Sequence, residues 1–279
     1  MNSAASHTAF PRFARIGPLG DVCRLGLATR GNTRLDADAV LEAVDRGVNY
    51  LNWCGHPDGM REAVRSLGSR RGEVFVAVQL ESRTAAAARR ELRRLCAELN
   101  TDYLDVVTYY YVEHPDEWRE ITSAGGAAEV VEAARHDGRV RAIGLTSHQR
   151  PLAAAVAEGR LDLLMVRYNA AHRGAERDVF PVTAKSSTPV VAFTCLRWGA
   201  LLQPTPDDPS DFSPPSAVDC YRFTLAHPAV SVALMAPDGV AELRQNLMLL
   251  DDWRAPTEAE HRALAAHGAR VRRHAGGFP

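Results

Sequence analysis

In the segment GVNYLNWCGHPDG (47–59), a buried strand runs out into a loop, and Asn52 ends the strand. An amide donates and accepts hydrogen bonds but does not exchange a proton near neutral pH. Proton transfer here would fall to His56 or Asp58 in the following loop, although exposed polar residues are also ordinary in loops. Tyr110, within TYYY (108–111), reads either as a general acid or hydrogen-bond donor or as a packing aromatic of a strand. Arg167 shares strand parity with Met165 and Asn169 in DLLMVRYN (162–169), so it should face inward. A guanidinium there would clamp a carboxylate or phosphate bidentately, or pair with a loop carboxylate such as Asp58. His114, directly before Pro115, is either a loop residue or a group able to swing toward such a site. No Ser-His-Asp or Cys-His arrangement is readable. Cys54 and Cys195 lie near strand ends without an activating cation and read as inert thiols.

The elements that would position these residues alternate along the chain. Short apolar runs rich in β-branched and aromatic residues are CRLGLAT (23–29), VNYLNW (48–53), VFVAVQL (74–80) and YLDVVTYYY (103–111). They continue with VRAIGLTS (140–147), DLLMVRYN (162–169), VVAFTCL (190–196) and VSVALMA (230–236). Amphipathic stretches such as TAAAARRELRRLCAELN lie between them, and GAAEVVEAARHDGR stops at Gly138. Eight buried strands, each followed by a helix, predict an α/β fold: a closed parallel (β/α)8 TIM barrel. No linker or repeat divides residues 1–279, which read as one barrel domain. RFARIGPLGDV predicts an N-terminal hairpin at about 12–22, capping the barrel bottom. The Pro- and Asp-rich segment 201–216 predicts a mobile loop at the catalytic end.

The composition excludes several classes. A net charge of −1 argues against a polyanion-binding surface, so no nucleic-acid partner is expected. No apolar run approaches a membrane span of ~20 residues, and residues 1–17 lack the apolar core of a signal peptide. The expected setting is cytoplasmic, away from membranes. Five scattered cysteines without CxxC spacing fit reduced thiols and give no metal site. Positive charge is almost entirely arginine, Lys185 being the only lysine. Oligomeric state is not legible.

From about Arg12 to Leu250 the chain resembles the aldo-keto reductase superfamily. The resemblance rests on RIGPLGDVCRLGLAT, GVNYLNW, LNTDYLDVVTYY, GRVRAIGLTSH, YNAAHRGAERDVFP, CLRWGALL and ELRQNL, in family order and spacing. It implies a barrel with NAD(P)H laid across its C-terminal mouth and carbonyl reduction by an Asp, Tyr, Lys and His. This sequence departs at all four positions. Asn52 stands for the aspartate, Pro57 or Asp58 for the tyrosine, Gln79 for the lysine and Tyr110 for the histidine. Lys185 precedes the seventh strand, at the end of the barrel away from the mouth.

Among the cofactor contacts that the resemblance implies, Thr146 and Ser147 keep hydroxyls, Phe193 keeps a stacking ring, and Met165 replaces a glutamine. Asn169 on the sixth strand and Thr194, Leu196 and Gly199 after the seventh are further positions. Asn246 matches the adenine contact, and Arg244 could offset Asp238 and Glu242, which would otherwise repel phosphate. His148 matches a histidine of one family branch and implies a structural or helix-start role.

Three readings follow. The first is non-redox acid/base chemistry (dehydration, lyase or isomerisation) on a small anionic or hydroxylated molecule. The second is an NAD(P)H-dependent oxidoreductase working through a substituted site. The third is a non-catalytic barrel that binds a ligand or partner. The cofactor is accordingly none or NAD(P)H.

Overall fold

A computed structural model describes residues 10–30, 33–157, 159 and 161–274. A hairpin of β1 (Phe13–Ile16) and β2 (Gly20–Cys23) precedes a closed barrel. Its strands are β3 (Leu25–Ala28), β4 (Tyr50–Trp53), β5 (Phe75–Leu80), β6 (Leu104–Tyr109), β7 (Val140–Ser147), β8 (Leu163–Arg167), β9 (Val190–Phe193) and β10 (Val230–Met235). All eight pair in parallel, β10 closing on β3. Around them run α1 (Ala37–Asp45), α2 (Gly59–Ser66), α3 (Ala85–Leu99), α4 (Pro115–Thr122), α5 (Ala127–His136) and α6 (Arg150–Ala157). The series ends with α7 (Ala175–Asp178), α8 (Phe180–Ser186), α9 (Ala217–Ala226), α10 (Val240–Leu247) and α11 (Glu258–His274). The expected TIM barrel with an N-terminal hairpin is therefore present. No described helix is long and apolar enough to cross a membrane.

Strand pleating sorts the side chains. Tyr50, Phe75, Val106, Ala142, Leu163, Val191 and Val232 fill the barrel interior, and Ile16, Leu19 and Val22 of the hairpin plug it from below. Residues of opposite parity, such as Leu51, Val76 and Val107, pack outward under the helices. Gly26 is needed inside: a Cβ there would stand 2.8 Å from Leu234 Cδ2 and 2.9 Å from Val232 Cγ1. Two residues further along each strand, the same parity delivers Asn52, Ala77, Thr108, Gly144, Met165, Phe193 and Leu234. Gln79, Tyr110 and Thr146 come one pleat later, at the C-terminal mouth.

One sequence expectation is corrected. The run 23–29 is not one strand: Cys23 closes the hairpin and β3 starts at Leu25. Between them the buried Arg24 donates from Nη2 to the Leu225 and Val230 carbonyls at 2.6 and 2.9 Å, which pins the crossing. The 201–216 segment makes its contacts with α11. Asp208 pairs with Arg270, Asp207 with Arg273 and His274, and Phe212 packs on the His267 ring at 4.8 Å.

Candidate active site

A cavity of about 380 Å³ opens at the C-terminal mouth, within the ~300–1,000 Å³ typical of small-molecule sites. Asn52, Gln79 and Tyr110, from the ends of β4, β5 and β6, line it together with Cys54. Asn52 Nδ2 donates to Cys54 Sγ at 3.6 Å and Gln79 Nε2 to the same sulfur at 3.4 Å. Asn52 is 2% exposed, yet its Oδ1 has no hydrogen-bond partner, an acceptor buried at a cavity wall. Burial, followed by the nearby Asp58 charge, pushes the Cys54 thiol up to about 12. It is therefore a thiol rather than a nucleophilic thiolate at neutral pH.

Tyr110 continues the β6 ladder, its N–H bonding the Leu80 carbonyl at 3.0 Å. Burial first, then a hydroxyl contact with Tyr111, raises the Tyr110 phenol well above its ordinary value. Tyr111 turns the chain, with φ 47°, and its ring lies 4.0 Å from that of Tyr110. An aromatic wall continues from Tyr111 to His148, stacked at 4.5 Å, and on to Phe193, edge-on at 5.3 Å. Glu113 holds His148 in place, accepting from its backbone N–H at 2.8 Å. Burial, then the Arg167 charge, lowers the His148 pKa despite that carboxylate, so the ring is neutral at physiological pH.

Of the expected cofactor positions, Thr146, Phe193, Thr194, Leu196 and Gly199 line the same cavity. Ser147 and Asn169 are buried elsewhere. Ser147 Oγ bonds the Gln149 backbone, while Asn169 accepts from the Ala171 and His172 N–H groups and donates to the Thr194 carbonyl. Asn169 thereby braces the loop after β9 instead of facing the cavity. Asn246 is buried in α10, off the cavity wall. Arg244 does not offset the acidic pair: it turns outward onto Glu42 at 3.0 Å.

Of the other groups expected to move protons or anchor a ligand, His56, Asp58, Arg167 and His114 lie outside the lining. His56 is exposed, and its carbonyl accepts from Trp53 Nε1 at 2.8 Å. Asp58 caps α2, its Oδ1 accepting the Arg61 N–H at 3.0 Å. Arg167 is half-buried among Tyr111, Arg197 and Glu113, and burial brings its guanidinium down to about 10. Its inward parity carries it beyond the cavity wall rather than into it. His114 begins α4, its N–H donating to Glu117 Oε2 at 2.9 Å. Lys185 is exposed on α8, before β9, at the opposite end of the barrel.

Several lining residues were not singled out from the sequence, among them Arg30, Tyr111, Trp198 and Tyr221. Non-glycine residues with φ > 0 gather here: Tyr111, Thr194 and Trp198 (φ 47–54°) all line the cavity, and Arg197 (φ 49°) adjoins them. Such conformations cost ~1–3 kcal/mol each and collect at functional sites.

The aldo/keto reductase family model matches residues 24–220. The chain belongs to the aldo/keto reductase family. Among solved structures, an aldo-keto reductase from Bacillus halodurans in its holo form aligns with a TM-score of 0.75 and 17% identity, covering 93% of this chain and 97% of that one. An aldo-keto reductase from Klebsiella pneumoniae in complex with NADPH aligns with a TM-score of 0.73 and 20% identity, over 92% and 95%. At these identities the likeness is one of fold. In sequence, a D-threo-aldose 1-dehydrogenase from a Pseudomonas species is 33% identical over 106 residues, 37% of this chain and 32% of that enzyme. The match thus spans about a third of that relative.

Proposed function

We propose that the cavity binds a nicotinamide dinucleotide and that the protein interconverts a small hydroxylated carbonyl compound and its reduced form without a lysine-tuned tyrosine. The observation carrying this reading is the meeting of Phe193, Thr146 and the Thr194–Gly199 turn with Asn52, Gln79 and Tyr110 around one cavity. The groups fit a nicotinamide. The Phe193 ring offers a stacking surface, the Thr146 hydroxyl a donor and acceptor, and the buried Asn52 Oδ1 an acceptor with no protein partner. The likenesses to a D-threo-aldose 1-dehydrogenase and to an NADPH-bound reductase fold favour redox chemistry.

When bound, the nicotinamide supplies hydride exchange with the carbonyl carbon. The protein's part is to stabilise charge developing on the carbonyl oxygen. Tyr110 O–H and the amide N–H groups of Asn52 and Gln79 form a donor set that is neutral throughout. Such donors act by electrostatic preorganisation, and removing one costs ~10²–10³-fold. The tetrad implied by family resemblance is replaced here by amides and a phenol without a cation, so turnover is slow. The non-redox reading is less well supported: of the groups it would use, Tyr110 lines the cavity but His56, Asp58 and Arg167 do not, and the relatives favour redox chemistry.

Titration of NADH into the protein, followed by tryptophan quenching, tests the cofactor reading. Trp198 on the cavity wall makes that signal responsive. Saturable binding is expected, weakened about tenfold by Phe193→Ala, since an aromatic stack contributes ~0.5–1.5 kcal/mol. Non-saturating quenching, identical in both proteins, would count against it.

A further inference from the structure

Among the described residues that line the cavity, Arg30 is the one cation. It follows β3, and two bonds with Thr33 fix its backbone: the Arg30 N–H donates to Thr33 Oγ1 at 3.0 Å, and the Arg30 carbonyl accepts the Thr33 N–H at 2.7 Å. The side chain is not tied down in this way. Its guanidinium makes no hydrogen bond or ion pair with any described residue, and Nε is buried without a partner. Other arginines nearby find carboxylates, as Arg34 does in Asp238 and Arg244 in Glu42. Withdrawing part of a guanidinium from water without a partner is unfavourable, and an anion brought by a ligand would restore what is lost. Tyr221 offers a second donor. It is 1% exposed, reaches the cavity from α9, and its hydroxyl has no hydrogen-bond partner among the described residues. Burial raises its pKa well above the ordinary phenol value, with Arg30 among the weaker opposing charges, so the hydroxyl stays protonated. The Arg30 charge also reaches Cys54, whose sulfur is held by the Asn52 and Gln79 amides. Asp238 and Glu242 stand on the β10–α10 side of the same wall, the first paired with Arg34 and the second accepting the Asp238 N–H at 2.9 Å. They weigh against a dianion. A single carboxylate carries less charge past them and matches the planar fork of a guanidinium.

We infer that Arg30, helped by the Tyr221 hydroxyl, seats a carboxylate of the substrate, so that the hydroxylated carbonyl compound is an oxo acid (such as a uronic acid) rather than a neutral molecule. The seat lies in the same cavity as the Asn52, Gln79 and Tyr110 donor set, which leaves the carbonyl end of the molecule to those groups. As a statement about the substrate the inference rests on the proposed redox function, but the seat itself is measured separately.

Calorimetric titration of the full chain with D-glucuronate and D-glucose, hydroxylated aldehydes that differ by the carboxylate, is the test. A glucose phosphate monoester serves as the dianion, and inorganic diphosphate and NADH as competitors. Glucuronate is expected to bind on the order of 10–100-fold more tightly than glucose, the worth of hydrogen bonds to a charged group, and more tightly than the phosphate ester. Arg30→Met should remove the preference without harming the fold, since it deletes no hydrogen bond or ion pair of the side chain among the described residues. Arg30→Lys, which keeps the charge but not the fork, should retain part of it. Tyr221→Phe should weaken glucuronate binding by about three- to tenfold. Glucuronate binding no better than glucose, absence of binding included, overturns the inference, as does a preference that survives Arg30→Met. Tighter binding of the phosphate ester gives the seat to a phosphate, and displacement of glucuronate by diphosphate or NADH gives Arg30 to the cofactor; each overturns it. The two readings fail separately. NADH binding without a glucuronate preference removes the carboxylate seat alone, whereas Arg30-dependent glucuronate binding without NADH binding removes the redox reading alone.

Discussion

Asp105→Ala is expected to destabilise the barrel by about 3–5 kcal/mol, the cost of removing one partner from a buried ion pair. Asp105 is fully buried at the start of β6 and joins three strands. Its Oδ2 accepts from Arg71 Nη2 at 2.6 Å and from the Val76 N–H of β5 at 3.0 Å, while Oδ1 accepts from Arg141 Nη1 of β7 at 2.9 Å. The two guanidiniums also lie over aromatic rings, Arg71 over Tyr103 at 4.6 Å and Arg141 over Phe75 at 5.4 Å. Alanine would leave both guanidiniums, 13% and 35% exposed, without their shared carboxylate and strand the Val76 N–H. Urea unfolding should show the midpoint falling with little change in slope. A loss under ~1 kcal/mol, the value of a surface pair, would mean that solvent already reaches the site.

The second large effect is on catalysis. If the proposed function holds, Tyr110→Phe should lower the rate of carbonyl reduction by ~10²–10³-fold while leaving dinucleotide affinity nearly unchanged, because in that proposal the hydroxyl acts on the developing oxyanion. A pH dependence accompanies it. Burial and the Tyr111 contact raise the phenol pKa, so the protonated, donating form persists to higher pH than for a free tyrosine. The wild-type rate should therefore stay flat between about pH 6 and 9, without the alkaline fall that an acid tuned downward would give. Steady-state kinetics across that range check both points. A rate unaffected by Tyr110→Phe would remove the phenol from the site.

Much of the fold was readable because its cause is local. Alternating buried runs and amphipathic helices repeat eight times, and pleating then dictates that Asn52, Gln79 and Tyr110 share the mouth. What the sequence concealed depends on partners far away in the chain. Arg244 looks cofactor-facing by position, but Glu42, about two hundred residues earlier, claims it. Arg167 has inward parity, yet its strand end carries it past the wall to Tyr111 and Glu113. Asp58 offered a partial clue, since an Asp directly before Gly59 and the helix that follows is a common cap. Trp198 sits in the quoted CLRWGALL motif, but only its left-handed backbone, φ 54°, puts it on the cavity wall.

The most direct measurement of the central claim is isotopic. The protein is incubated with nicotinamide dinucleotide deuterated at the transferring position and a panel of small hydroxylated aldehydes and ketones, and the products are read by mass spectrometry. Slow incorporation of one deuterium at the former carbonyl carbon, slowed a further ~10²–10³-fold by Tyr110→Phe, is the expected result. Products that form without deuterium, or no product from any carbonyl while the dinucleotide is bound at saturation, would contradict it.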